Sequence, residues 1–187
     1  YRCDWSSDVC SSDPETLYEV IWNKKQQYTI NFLKEHIKPV PNIINTLNNL
    51  KHQGYILSVA SNSIRETVQT ALDQINVLPL IDFFLSSEDV KRPKPSTEIF
   101  LKSMILAGVD PKECLIIEDS NIGKLAAINS GGYLCPVLTT HDVTYNTIKK
   151  HIDMANNDNK QSKWVGGDIN VLIPMAGAGS RFADAGY

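Results

Sequence analysis

No stretch of this 187-residue chain approaches the roughly 20 consecutive apolar residues that span a bilayer, and the N-terminus lacks the basic-then-apolar order of a secretory signal. A soluble cytoplasmic protein with no membrane partner is therefore expected. There is no block of like charge either: 18 basic residues against 21 acidic ones leave a net charge of −3. Binding to nucleic acid or to an anionic surface loses its usual electrostatic support. Cysteine is scarce, with four in the chain, no CxxC and no Cys/His cluster, so nothing indicates zinc. Cys114 and Cys135 lie in apolar, strand-like runs and read as reduced core residues. His36, His52, His141 and His151 share no metal-ligand spacing and read as surface residues.

What is present is ordinary for a globular protein: 42% hydrophobic and 21% charged residues, enough to build one core and too apolar for a disordered tail. Residues 1–13 (YRCDWSSDVCSSD) show neither a period of 2 nor one of 3.6. They look like the translated read-through of a sequencing adapter and are expected to be a non-native leader. From Pro14 to His36 the pattern is helical, as one helix or two. Pro41 then suits the first turn of a helix with Ile43, Ile44, Leu47 and Leu50 on one face, ended by Gly54. Tyr55–Ala60 is an apolar strand, and Ser63-Ile-Arg-Glu66 predicts a capping box that opens the next helix.

The alternation continues with strands at about 82–85, 114–118 and 133–138 and helices at about 97–108, 121–130 and 142–154. Strands that are apolar on both faces and separated by helices predict an α/β fold, a Rossmann-like parallel sheet covered on both sides, with its chemistry at the carboxyl ends of the strands. Residues 155–168 are polar and predict a linker, and 169–175 turn apolar again, as if a second βα domain began there.

Three strand exits carry polar residues. Ser61, directly after the 55–60 strand, offers a hydroxyl and free N–H groups just before a helix, a possible phosphate seat or simply a turn. Lys94 stands between Pro93 and Pro95, which hold its backbone extended; it is either an aimed ammonium group or a solvated one. Glu118 and Asp119 end the run Cys114-Leu-Ile-Ile117. Two adjacent carboxylates against a buried strand call for a hard cation such as magnesium or a donor network, because an N-cap needs only one acid or serine. The three exits follow one another at successive βα steps, which in a parallel sheet lets them converge on one phosphate.

Ala60-Ser-Asn-Ser63, Lys94-Pro-Ser-Thr-Glu-Ile-Phe100 and Ile116-Ile-Glu-Asp-Ser-Asn-Ile-Gly123 resemble the second, third and fourth motifs of the haloacid dehalogenase superfamily, in the branch of β-phosphoglucomutase and phosphoglycolate phosphatase. The resemblance implies a phosphatase core over 39–154 and a remnant of a helical cap over 14–38. It also implies phosphoryl transfer through an aspartyl-phosphate with Mg2+, on a small phosphorylated metabolite of the sugar-phosphate kind. Ser61 and Lys94 would be catalytic, Ser61, Asn62 and Lys94 would bind phosphate, and Glu118 and Asp119 would hold the metal. The family's nucleophile sits in an Asp-x-Asp after an apolar strand, and no two aspartates here stand two positions apart. The chain is thus expected to lack the first strand of its core and to be inactive alone. A phosphomutase, or a noncatalytic module, is the competing reading.

Pro174-Met-Ala-Gly-Ala-Gly-Ser-Arg-Phe182 follows the last apolar run and is similar to the opening signature of sugar-phosphate nucleotidyltransferases. That resemblance implies a second domain beginning at 169, with Gly177, Gly179 and Arg181 facing a nucleoside triphosphate.

Overall fold

The computed structural model describes residues 14–161 and 169–173. Among the described residues six α-helices and five strands follow one another as α1 (Pro14–His36), α2 (Pro41–His52), β1 (Leu57–Ala60), α3 (Arg65–Gln74), β2 (Phe83–Leu85), α4 (Glu98–Ala107), β3 (Cys114–Glu118), α5 (Asn121–Asn129), β4 (Tyr133–Pro136), α6 (Tyr145–Gln161) and β5 (Asn170–Ile173). The strands form one parallel sheet in the order β2-β1-β5-β3-β4. This is the expected α/β architecture, with helices on both faces.

Alternation along the strands sorts the core into two layers. Leu57, Val59, Leu115, Ile117 and Val171 pack on one face with Leu47 and Leu50 of α2, Val68 and Leu72 of α3, and Ile148 and Ile152 of α6. Ala60, Cys114 and Ile116 face the other way, onto Ile99, Phe100 and Met104 of α4 and Ala126 and Ala127 of α5. Each large aliphatic buried this way contributes about 1.5–3 kcal/mol. Glu118 continues the second series, so the pleat delivers its carboxyl group to the α4–α5 face and turns Asp119 toward the other.

The strand expected to open a second domain lies in the middle of this sheet. Leu57, Ser58 and Val59 pair with Val171, Leu172 and Ile173, while Cys114, Leu115 and Ile116 pair with Asn170, Val171 and Leu172. The physical reason is that β1 and β3 each present an inner row of N–H and C=O groups that need partners. An apolar, β-branched segment with Ile169 and Val171 buried satisfies both rows at once. The position expected to be missing its strand is therefore filled by 170–173.

Three smaller expectations are also revised. Residues 155–161 continue α6 and are not linker, because Ala155 and Asn159 fall on its buried stripe and Asn159 Nδ2 donates to the Lys112 carbonyl at 2.7 Å. The capping box at Ser63 does not form. Helix α3 begins at Arg65, whose N–H donates to Glu88 Oε1 at 3.1 Å, while the Ser63 N–H turns back to Ser61 Oγ. Residues 14–36 make one helix, whose second half buries Ile30 and Leu33 while Leu17, Tyr18, Ile21 and Trp22 of the first half stay exposed. Pro41 opens α2 as predicted. No described helix is long and apolar enough to cross a membrane.

Candidate active site

The C-terminal edge of a parallel sheet is lined by loops and helix N-termini, and here the ends of β1 and β3 stand on either side of β5. Lys94 comes from the loop between β2 and α4 and joins those two ends. Its Nζ donates to the Ala60 carbonyl at 3.1 Å and to Glu118 Oε1 at 2.5 Å. Both partners of this ion pair are buried, the side chains being 5% and 1% exposed. The Lys94 ammonium also lies 4.8 Å from the centroid of the Phe100 ring, close enough for a cation–π contact. Burial pushes the Lys94 ammonium below its ordinary pKa, against the pull of Glu118 and Asp119, which favours the charged form.

Asn62 fixes the lysine from behind. Its Oδ1 accepts from the Lys94 N–H at 3.0 Å and its Nδ2 donates to the Lys94 carbonyl at 3.3 Å, so the amide acts as a short piece of pairing backbone. This clamp occupies the Asn62 side chain and leaves its backbone N–H, the group expected to serve phosphate, out of the pairing with Lys94. Ser61 is fully buried, holds the Leu85 carbonyl through its N–H at 3.0 Å, and accepts the Ser63 N–H on Oγ at 3.1 Å. Its own hydroxyl proton remains available to donate.

On the far side of the ion pair, Ser120 caps α5 by accepting from the Gly123 N–H at 3.1 Å. The Ser120 hydroxyl and N–H donate to Glu118 Oε2 at 3.1 and 3.3 Å. The carboxylate thus rests at a helix N-terminus, where the backbone dipole favours negative charge.

Asp119 points to the opposite layer and lines a cavity of about 290 Å3 between α1, α3 and the strand ends, together with Val59, Ile117, Thr139 and Thr140. Ser61, Lys94 and Glu118 do not line it. The structure therefore brings together Ser61, Asn62, Lys94 and Glu118 at one strand edge and sets Asp119 beside them on the other face. Gly177, Gly179 and Arg181 lie outside the described residues.

The donor set can be weighed for a metal. Glu118 and Asp119 offer only carboxylate oxygens, and Glu118 Oε1, which accepts one bond from Lys94, keeps a lone pair, whereas Oε2 already accepts two from Ser120. That suits a hard cation such as magnesium, which is held by one or two carboxylates and keeps waters or phosphate oxygens as further ligands. Among the described residues no group of three or more His, Cys, Asp or Glu forms a ready-made cage.

Sequence reasoning assigned no part to Phe100 or Gly123. The aromatic six residues past Lys94, on the buried face of α4, is the signal for the first. For the second it is a glycine at the third position of a helix, where no turn demands it.

Compared with known proteins, residues 9–136 match the family described as haloacid dehalogenase-like hydrolase, a match that begins inside the segment read as a leader. The haloacid dehalogenase-like hydrolase domain-containing protein At4g39970 of Arabidopsis thaliana is 30% identical over 140 residues, covering 71% of this chain and 44% of that protein. Phosphoglycolate phosphatase of Aquifex aeolicus is 30% identical over 114 residues, covering 57% and 54%. The crystal structure of β-phosphoglucomutase from Clostridium difficile aligns with a TM-score of 0.63 at 20% identity, over 79% of this chain and 70% of that one, a likeness of fold. The chain spans about half the length of the curated relatives it matches.

Proposed function

This chain belongs to the haloacid dehalogenase-like hydrolase family, and we propose that its site is that of a magnesium-dependent phosphatase acting on a small phosphate ester, with sugar phosphates as the substrate class, through an aspartyl-phosphate. The observation that carries the proposal is the buried Lys94–Glu118 pair joining the ends of β1 and β3, where Ser61 is the first residue after β1. An ammonium group sequestered from water at that edge offsets the charge of a phosphate and of an attacking carboxylate far better than a solvated one. The Ser61 Oγ–H donates to a phosphoryl oxygen. Glu118 and Asp119 would hold magnesium, which when bound draws charge from the phosphoryl oxygens and orients the ester.

The proposal includes inactivity of these 187 residues alone. No Asp-x-Asp occurs in them, and the central strand β5 runs on into Pro174-Met-Ala-Gly-Ala with no acid next to it. Purified 1–187 is expected to leave an aryl phosphate intact with or without Mg2+. Magnesium-dependent hydrolysis abolished by Asp119→Asn would overturn this. The chain is nonetheless expected to bind orthophosphate in a Mg2+-dependent manner by calorimetry, and loss of that binding in Asp119→Asn would assign the metal. No Mg2+-dependent phosphate binding at all would leave the noncatalytic module as the better account. The fold likeness to β-phosphoglucomutase supports a phosphomutase as second reading.

The likeness of 174–182 to a nucleotidyltransferase signature is a separate proposal, for a parent protein that joins the two activities, and it rests on Gly177, Gly179 and Arg181 without the strand before them, since 170–173 belongs to the sheet described above. Its test is binding of a nucleoside triphosphate by 1–187, weakened by Arg181→Ala.

A further inference from the structure

We propose that Gly123, with Ser120, is the positioning residue of the buried ion pair: the absence of a side chain at 123 is what lets the Glu118 carboxylate lie against the first turn of α5 and face Lys94. A Cβ built at Gly123 would fall 2.1 Å from Glu118 Cδ, 2.2 Å from Oε1 and 2.3 Å from Oε2. The whole carboxyl group therefore occupies the space that any other residue would need for its first side-chain atom. Nothing else about this position calls for glycine, since its backbone is not left-handed, unlike that of Gly54, Gly108 and Gly131. Within a helix alanine is the better former, so a glycine here gives up helix stability for the contact.

The surrounding bonds point the same way. The Gly123 N–H donates to Ser120 Oγ, and the Ser120 hydroxyl donates to Glu118 Oε2, a relay from the helix backbone to the carboxylate. With Oε2 held there, Oε1 is left to accept from Lys94. Glu118 is 1% exposed and cannot swing into solvent to avoid an added methyl group, so a side chain at 123 must displace it from Lys94. The inference deepens the phosphatase reading by adding a residue that sets its lysine–carboxylate geometry. Its test reads folding, so it stands or falls whether or not the chain binds phosphate.

The experiment measures the folding equilibrium of Gly123→Ala by urea denaturation in three backgrounds. In the otherwise unchanged chain, Gly123→Ala is expected to lower the folding constant at least about tenfold. In the Lys94→Met/Glu118→Ala background, where the carboxylate is gone, the same substitution is expected to raise it about two- to fivefold, as alanine does for glycine in a helix. Glu118→Asp, which draws the carboxylate back by one methylene, is expected to rescue most of the loss caused by Gly123→Ala. A general packing role for Gly123 would give a loss of similar size in all three, and that result overturns the proposal. Should the double variant fail to fold, the Glu118→Asp rescue decides alone, an undiminished loss refuting the inference.

Discussion

Replacing Lys94 by methionine removes the charge while keeping a flexible side chain over the Phe100 ring. Glu118 then remains 1% exposed, with Ser120 still donating to Oε2 and nothing donating to Oε1 from the lysine. Breaking a buried pair by deleting one partner costs about 3–5 kcal/mol. The destabilisation by Lys94→Met is therefore expected to be about 3–5 kcal/mol at pH 7. The double variant Lys94→Met/Glu118→Gln should recover most of that loss, since no buried charge is left. Urea unfolding followed by far-ultraviolet circular dichroism measures both. A loss below about 1 kcal/mol would refute the claim that the pair is buried and mutually dependent.

Three further outcomes are expected. A chain ending at residue 168 loses β5 and should fail to fold cooperatively, because β1 and β3 lose their shared partner and Ile169 and Val171 leave the core; a 1–168 chain with an undiminished unfolding midpoint would show instead that 169 begins an independent unit. Burial acts to raise the pKa of Asp89, but hydrogen bonds from Ser86 and the Arg65 guanidinium prevail and hold it below the usual aspartate value. A carboxyl group with a lowered folded-state pKa stabilises above its unfolded value, near 3.9, and loses that contribution as pH falls through the folded one. Asp89→Asn should thus cost about 1–2 kcal/mol at pH 7 and little near pH 2, read from denaturation at both, and an equal cost at the two would contradict it. Burial raises the Cys114 thiol to about 12 and the Cys135 thiol to about 11, so neither should react with iodoacetamide at pH 8 until the chain is unfolded, as mass spectrometry would show.

Much of the fold is legible in the sequence because apolar runs of strand length alternate with helical periodicity, and β1, β3 and α2 fall where those patterns put them. The meeting of Ser61, Lys94 and Glu118 is legible for the same reason, since residues that follow successive parallel strands share one edge. Other features depend on contacts that no local pattern encodes. The period of 169–173 marks a strand without saying which sheet it joins, and only the unpaired inner rows of β1 and β3 decide that. The length of α6 is hidden because Asn159 is polar yet buried, held by the Lys112 carbonyl 47 residues earlier in the chain. Nothing local in the motif of Asn62 announces that its side-chain amide is matched to the Lys94 main chain. Ser63 has the spacing of a cap and loses that role to Glu88, across a loop.

The strand at the centre of the sheet is also the one the ribosome makes last among those it joins. Until it emerges, β2-β1 and β3-β4 are two half-sheets, each with a bare edge of N–H and C=O groups that can pair with any extended chain nearby. Closure of the sheet is necessarily a long-range event, joining residues 57–59 to partners more than a hundred positions away, and long-range pairing is the slow part of folding. The newborn chain is thus exposed to misassembly for the whole time needed to synthesise α6 and the segment after it.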